Sequence, residues 1–244
     1  MMDIPPPVWV AHRGQSENYP ENTLAAVRAA FECGAQYVEV DVQCSADGEL
    51  FILHDALLDR TTDTSGSLLL MSSQQLQCVS AHEPERLGDT FIGECIPRLS
   101  DLVRLMVGWP QVRVFVEIKR ESIAIHGVDA IMERVLRLLA PVRKRCILIS
   151  FDLDLVRAVA EDGLLATGWV LDAYDQATIS MARQFGPDYM IVDYCRVKDA
   201  SRLAEGDWQW MVYLVNEPGI AASLSGRNVQ LVETSDICAM LGQA

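Results

Sequence analysis

The sequence lacks the patterns of several classes of protein. It contains seven cysteines but no Cys-x-x-Cys pair, and it has no cluster of lysine and arginine interleaved with aromatic residues. No stretch approaches 18 consecutive apolar residues, and residues 1–7 have neither the basic nor the apolar region of a secretory signal. The formal net charge of -14 opposes binding to polyanions. We therefore expect reduced core cysteines, no nucleic-acid partner, no membrane insertion and a cytoplasmic location, with a homo-oligomer left open.

What the sequence does contain is a regular alternation of apolar runs and helical patterns. Half of the 244 residues are hydrophobic, so a sizeable core can form in one domain over residues 1–244. Eight apolar runs predict strands at 8–10, 37–42, 112–118, 146–150, 167–171, 189–192, 210–215 and 229–232. Near-continuous apolar strands that alternate with helices indicate a covered parallel sheet, and eight units fit a (β/α)8 TIM barrel. A doubly wound open sheet is the alternative.

The helical patterns lie where such a barrel needs its crossovers. Helices are predicted within 21–34 and at 99–106, with Ser100 as N-cap, and then at 127–139, 153–162, 175–185, 197–205 and 217–225. About 70 residues separate the second and third predicted strands, which is too long for a simple crossover. We therefore predict a small inserted subdomain after strand 2, at approximately 43–110.

Charged side chains stand at the ends of three predicted strands, where barrel enzymes carry their active sites. His12 and Arg13 follow the first strand, and Gly14 is expected to turn the chain and leave space for a substrate. The second strand carries Glu39 and Asp41 on one face, and the third carries Glu117 and Lys119 on one face (both pairs have a spacing of two). Three converging carboxylates predict a hard divalent cation, Mg²⁺ or Ca²⁺, held by Glu39, Asp41 and Glu117. Structural salt bridges are the alternative.

A hairpin is predicted to bring a second histidine to the same place. Asp47-Gly48 is a strong turn signal, and a two-residue loop there places His54 opposite Asp41. His12 and His54 would then flank one site. Two imidazoles can divide the general acid and general base roles near neutral pH.

These residues, taken together, resemble the glycerophosphodiester phosphodiesterases. The resemblance rests on His12-Arg13-Gly14, Pro20-Glu21-Asn22-Thr23, Glu39-x-Asp41, Asp47-Gly48, His54-Asp55 and Arg60-Thr61-Thr62, and continues at Ile96-Pro97-x-Leu99, Glu117-x-Lys119, Ser150-Phe151 and Val215-Asn216. Two departures stand out. Tyr213-Leu214-Val215-Asn216 replaces the Trp-Thr-Val-Asn of many members, and Glu233 precedes an altered last loop, Thr234-Ser235-Asp236.

The resemblance implies a metal-dependent phosphoric diester hydrolase that acts on a small glycerophosphodiester and releases sn-glycerol 3-phosphate and an alcohol. It implies catalysis by His12 and His54, binding of the metal by Glu39, Asp41 and Glu117, and binding of the substrate by Arg13, Lys119 and Tyr213. Two alternatives stay open. One is a related phosphodiesterase for lysophospholipids or phosphoinositides, and the other is a non-catalytic barrel that binds metal or phosphate.

Overall fold

A computed structural model describes residues 5–242 of the chain. Its strands are β1 (Val8–His12), β2 (Tyr37–Cys44), β3 (Leu50–Ile52), β4 (Arg113–Ile118), β5 (Cys146–Ser150), β6 (Ala166–Val170), β7 (Tyr189–Asp193), β8 (Gln209–Tyr213) and β9 (Leu231–Thr234). Its α-helices are α1 (Leu24–Glu32), α2 (Ser73–Leu76), α3 (Pro84–Leu87), α4 (Leu99–Val107), α5 (Arg120–His126), α6 (Val128–Leu139), α7 (Leu153–Asp162), α8 (Gln176–Phe185), α9 (Tyr194–Val197), α10 (Pro218–Leu224) and α11 (Ile237–Met240).

Eight of the strands close into a parallel barrel. Their order is β1-β9-β8-β7-β6-β5-β4-β2, and β2 pairs again with β1 to complete the ring. The (β/α)8 barrel is therefore confirmed, and the open-sheet alternative is wrong. Because all eight strands are parallel, their carboxyl ends meet at one mouth of the barrel.

Apolar side chains fill the barrel and bind the helices to its outside. The interior cluster includes Val10, Phe115, Ile149, Ile191 and Met211. Two outer clusters lie between the strands and the surrounding helices, one centred on β2, β4, α4 and α6, the other on β7, β8, α8 and α10. The strands are thus covered on both faces, which explains why their sequences read as continuous apolar runs.

The predicted insertion begins with a hairpin whose register differs by one residue from the prediction. Val42 pairs with Ile52, and the backbone N–H of Leu53 donates to the carbonyl of Asp41. The loop has three residues, because Ser45 pairs with Glu49 and Gly48 adopts a φ of 88°. A type I turn followed by a left-handed glycine forms such a loop, and it shifts the pairing by one position. The placement of His54 directly opposite Asp41 is therefore wrong.

The rest of the insertion packs around a small apolar cluster of its own, which includes Phe51, Leu58, Leu68, Leu76 and Ile96. It then leads into α4, which occupies the place of the crossover helix between β2 and β4 and packs against α1 and α6. The insertion thus covers one side of the barrel mouth without interrupting the ring of strands.

Two helix predictions are corrected. Residues 198–205 are not helical, since the N–H of Leu203 donates to the carbonyl of Arg227 and that of Ala204 to the hydroxyl of Tyr174. These tertiary partners replace the hydrogen bonds that a helix would need. Ser100 is not an N-cap, because α4 begins at Leu99 and the Asp101 carboxylate accepts the N–H of Arg98.

The expectation that all cysteines are reduced core residues is also wrong. Cys33, just after α1, and Cys238, in α11, form a disulfide. Cys78, Cys95 and Cys195 are free and exposed. Sequence spacing could not reveal the pair, because 205 positions separate the two residues and only closure of the barrel brings them together.

Within residues 5–242, none of the helices has the length and apolar composition that a bilayer crossing requires.

Candidate active site

A cavity of about 140 Å³ opens among the carboxyl ends of the barrel strands. All eight side chains that the sequence singled out line it, namely His12, Arg13, Glu39, Asp41, His54, Glu117, Lys119 and Tyr213. Glu233 and the apolar residues Ile149, Phe151, Val170 and Ile191 complete the lining. Wider surface depressions of about 590 and 680 Å³ lie elsewhere and do not combine carboxylates with histidines.

The end of β1 delivers His12 and Arg13 through a sharp change of backbone direction. Arg13 has a φ of 57°, an uncommon conformation that points its backbone N–H at the Glu39 carboxylate, 3.1 Å away. Gly14 has a φ of 82°, and a Cβ there would lie 2.6 Å from the backbone of Ala26 in α1. Gly14 therefore permits the turn as expected, but it makes room for α1 and not for a substrate.

Three carboxylates converge at the ends of β2 and β4. Glu39, Asp41 and Glu117 are buried, and each offers an oxygen within 4.8 Å of the other two. Parallel pairing explains the convergence, because Asp41 lies beside Glu117 in the register of β2 and β4. The Nζ of Lys119 lies 2.8 Å from Glu117 and 3.3 Å from Asp41. The Nε of Arg13 lies 3.1 Å from Asp41.

Burial and mutual repulsion separate the pKa values of these carboxylates. Burial raises the pKa of Glu117 to about 7, with repulsion from Asp41 as the next cause. The same two causes raise the pKa of Glu39 well above its ordinary value. Burial acts on Asp41 too, but Arg13 and Lys119 outweigh it and hold the pKa of Asp41 well below its usual range. Asp41 is therefore the carboxylate that the protein itself keeps ionised.

The trio fits a hard divalent cation. All of its donors are carboxylate oxygens, which such cations prefer. The Oε1 atom of Glu39 is buried and has no hydrogen-bond partner among the described residues. A cation bound between Glu39, Asp41 and Glu117 would satisfy this oxygen and relieve the repulsion that raises two of the three pKa values.

The two histidines have different surroundings. Burial, and next the positive charge of Arg13, lower the pKa of His12 to about 4, so its imidazole is neutral near pH 7. His54 follows β3, is about one-third exposed, and its Nδ1 lies 2.6 Å from a carboxylate oxygen of Asp55. This contact fixes the orientation of the His54 ring, and the carboxylate can stabilise positive charge on it during proton transfer. The two rings thus differ in exposure and in the charged groups beside them.

A chain of ion pairs behind the histidines was not predicted from the sequence. Asp55 accepts from the Nε of Arg60 at 2.6 Å, and Arg60 donates two hydrogen bonds to Glu21. Glu21 also accepts from Arg13 at 2.8 Å. Asn22, in a left-handed conformation with a φ of 58°, donates to Asp41 at 2.9 Å. These residues lie in loops, and their role as supports of the site follows only from the folded geometry.

Glu233 was also missed, although a signal for it existed. It lies within β9, faces the cavity and is 4% exposed. A polar residue at the end of an apolar barrel strand is the pattern that predicts His12, Glu39 and Glu117 as site residues. Glu233 shows the same pattern. Burial, and next repulsion from Glu117, raise the pKa of Glu233 to about 8.

The fold and the site together define a class of protein. It is a (β/α)8 barrel whose strand ends combine a carboxylate trio, two cationic side chains and two histidines in one cavity. Residues 12–230 match the profile of the glycerophosphoryl diester phosphodiesterase family. The chain belongs to that family, as its strand-end residues predicted.

Individual relatives agree with this assignment. A glycerophosphodiester phosphodiesterase of Caldanaerobacter subterraneus is 38% identical over 120 residues, which are 49% of this chain and 48% of the relative. A probable glycerophosphodiester phosphodiesterase 1 of Mycobacterium tuberculosis is 34% identical over 156 residues, or 59% of this chain and 57% of the relative. These alignments thus span only about half of the curated relatives.

Solved structures resemble the fold over almost the whole chain. A phosphodiesterase of Oleispira antarctica, in complex with the product sn-glycerol-3-phosphate, superposes with a TM-score of 0.84 and 22% identity over 98% of this chain and 96% of its own. A glycerophosphodiester phosphodiesterase of Agrobacterium tumefaciens gives a TM-score of 0.75 and 23% identity over 96% and 99% of the two chains. At these identities the likeness supports the barrel fold.

Proposed function

We propose that this protein hydrolyses glycerophosphodiesters to sn-glycerol 3-phosphate and an alcohol. The observation that carries the proposal is the convergence of His12, His54, Arg13, Lys119 and the carboxylate trio on one small cavity. Family membership supports the reaction class. The product named in the Oleispira antarctica complex supports the identity of the phosphate-bearing fragment.

The residues of the trio, Glu39, Asp41 and Glu117, would hold a divalent cation, Mg²⁺ or Ca²⁺. When bound, such a cation supplies positive charge that neutralises the phosphodiester and the charge that develops on its oxygens. Arg13 and Lys119 line the same cavity, both contact Asp41, and contribute the protein's own positive charge there. Local cations of this kind explain how a protein with a net charge of -14 can bind an anionic substrate.

The histidines would move the protons. His12 is neutral near pH 7 and accepts a proton from the nucleophile, which is either water or the 2-hydroxyl of glycerol acting through a cyclic phosphate. His54, held at Nδ1 by Asp55, gives a proton to the oxygen of the departing alcohol. The loops that bear Glu21 and Arg60 hold the two histidines in position relative to each other. One chain of ion pairs links Asp55, which follows His54, to Arg13, which follows His12.

Product analysis tests this proposal. Protein from which metal has been removed by a chelator is supplied with Mg²⁺ or Ca²⁺. It is then offered glycerophosphocholine, glycerophosphoethanolamine or a lysophosphatidylcholine, and sn-glycerol 3-phosphate is detected enzymatically. We expect release from the two glycerophosphodiesters only when a divalent cation is present. Absence of product with every metal would refute the function, and full turnover after exhaustive chelation would refute the metal requirement. Preference for the lysophospholipid would favour the alternative substrate class.

A further inference from the structure

One carboxylate in the cavity has no assigned task. Glu233 projects inward from β9, where it pairs in register with Val10 of β1. On the other side, Val212 pairs with Val232, so the next residues, Tyr213 and Glu233, lie side by side on neighbouring strands. Both side chains line the cavity, and only 4% of Glu233 is exposed.

Glu233 differs from the other carboxylates because it has no partner. Asp41 contacts Arg13, Lys119 and Asn22, while Glu117 contacts Lys119. Glu39 accepts the backbone N–H of Arg13. The Glu233 carboxyl makes no hydrogen bond or ion pair with any residue in the range 5–242. Because Glu233 is almost fully buried and its only opening is toward the cavity, its oxygens are available to accept hydrogen bonds from a bound molecule.

Glu233 also lies outside the metal trio. The oxygens of Glu39, Asp41 and Glu117 lie within 4.8 Å of one another, and Glu233 does not belong to that set. A group that completes the coordination of the same cation would be expected among these oxygens. Because Glu233 is not a member of this cluster, its carboxyl is available to another part of the bound molecule.

The rest of the lining indicates which part that is. Arg13, Lys119 and the trio provide the positive and metal-binding groups that a phosphate requires. The ends of β5, β6 and β7 contribute Ile149, Val170 and Ile191 to the lining, and these side chains offer no hydrogen-bond partner. A bound glycerol fragment carries free hydroxyls, and each needs an acceptor when water is excluded. Among the described residues of the lining, Glu233 is the carboxylate left for that purpose.

We propose that Glu233 accepts a hydrogen bond from a hydroxyl of the glycerol fragment, and so selects hydroxylated phosphodiesters over those with plain alkyl groups. This inference rests on the proposed function, because it assigns a contact to that substrate. A substrate hydroxyl that loses its hydrogen-bonding partner in a closed cavity costs enough to change affinity by about 10- to 100-fold. Sites that pair with a hydroxyl discriminate strongly against analogues lacking it.

The test compares two ligands that differ only in their hydroxyls. Dissociation constants of sn-glycerol 3-phosphate and n-propyl phosphate are measured by calorimetry for the Mg²⁺-loaded wild type, Glu233→Val and Glu233→Gln. We expect Glu233→Val to weaken binding of sn-glycerol 3-phosphate about 10- to 100-fold and to leave n-propyl phosphate within about twofold. Glu233→Gln keeps a carbonyl acceptor of the same shape and should fall between the wild type and Glu233→Val.

Matched controls separate a lost hydroxyl contact from general damage to the cavity. Glu217→Gln, at an exposed position of the loop after β8, should change neither constant. Titration with Mg²⁺ alone should give the same midpoint in Glu233→Gln as in the wild type. Equal weakening of both ligands, unchanged binding of sn-glycerol 3-phosphate, or a tenfold loss of Mg²⁺ affinity would each overturn the inference. If Glu233→Val does not fold, Glu233→Gln decides alone, through its selective loss.

The failure of this inference differs from the failure of the proposed function. A wild type that releases sn-glycerol 3-phosphate from glycerophosphocholine, while the Glu233 variants bind it normally, removes only the role of Glu233. A folded wild type that releases no sn-glycerol 3-phosphate removes the function, and the hydroxyl contact with it.

Discussion

The two halves of the barrel mouth are built on different physical principles. The ends of β1, β2, β4 and β9 carry the histidine, the cations and the carboxylates, whereas the ends of β5, β6 and β7 contribute Ile149, Val170 and Ile191. The apolar half continues the packing of the barrel interior, so its side chains stabilise the fold and shape the cavity together. In the charged half, ion pairs compensate only some of the buried negative charges.

The charged half contains more buried acids than cations. Glu39, Asp41, Glu117 and Glu233 are four buried acids, and Arg13 and Lys119 are the two cations beside them. The pKa values of three of these acids are raised, so their ionised forms are less stable in the folded protein than in water. The apolar half therefore contributes stability unconditionally, while the charged half does so only when its charges are compensated.

The largest effect is expected from the histidines. We predict that His12→Ala and His54→Ala each lower kcat by about 10²- to 10⁴-fold, because each removes one of two proton transfers. Steady-state kinetics with glycerophosphocholine measure the change. The fold should survive, since neither ring is part of the apolar core. Circular dichroism and the midpoint of thermal unfolding serve as controls, and near-normal turnover in either variant would contradict the acid/base assignment.

Substitutions of two neighbouring carboxylates are expected to change the free energy of unfolding of the metal-free protein in opposite directions. Asp41→Asn should lower the free energy of unfolding by about 3–5 kcal/mol, because Arg13 and Lys119 lose a buried partner. Glu39→Gln should leave it unchanged or raise it by about 1–2 kcal/mol, because burial and repulsion already disfavour the Glu39 anion. Both variants should lose metal-dependent turnover. Urea unfolding under chelation measures the difference.

The apolar half supplies the reference for that measurement. Ile191→Ala removes a buried side chain and should cost about 2–5 kcal/mol of stability, similar to Asp41→Asn. Unlike Asp41→Asn, it leaves all three carboxylates of the trio in place, so a titration with Mg²⁺ should give the same midpoint as the wild type. Two results would remove the distinction between compensated and uncompensated charge. One is an Asp41→Asn variant as stable as the wild type, and the other is a Glu39→Gln variant that loses as much stability as is expected of Asp41→Asn.

Most of the barrel and much of the site can be predicted from the sequence, and the reason is physical. Parallel strands in a barrel are apolar on both faces, and their carboxyl ends share one mouth, so strand runs and the polar residues after them can be read locally. That pattern predicts His12, Glu39 and Glu117 as site residues, and it holds equally for Glu233, which directly follows the predicted strand at 229–232.

The remaining errors come from interactions that are not local. The hairpin register moved by one residue because Gly48 adopts a left-handed conformation in a three-residue loop, and turn type is not fixed by the Asp-Gly pair alone. The disulfide between Cys33 and Cys238 depends on the closure of the barrel. The helix predicted at 197–205 is replaced by bonds to Tyr174 and to the backbone of Arg227.

The smallest expected effect is a dependence of stability on pH that arises mainly in the charged half. The folded pKa values of Glu117 and Glu233, about 7 and 8, lie above the ordinary value of 4.5. An acid whose pKa is higher in the folded than in the unfolded protein contributes its full stabilisation below pH 4.5. This contribution is lost as the pH rises through the pKa of the folded state. His12 has a lowered pKa, so its contribution is complete above pH 6.5 and falls only toward acid.

The metal-free protein should therefore lose about 1–3 kcal/mol of stability between pH 6.5 and 9, a window in which His12 contributes no slope. Urea unfolding at fixed ionic strength gives the free energy at each pH. Glu233→Gln removes one of the titrating groups and should flatten the curve, whereas Ile191→Ala should shift it down without changing its slope. A wild-type curve that is level or rises toward pH 9 would show that these acids are already ionised in the folded protein, and would remove the contrast between the two halves.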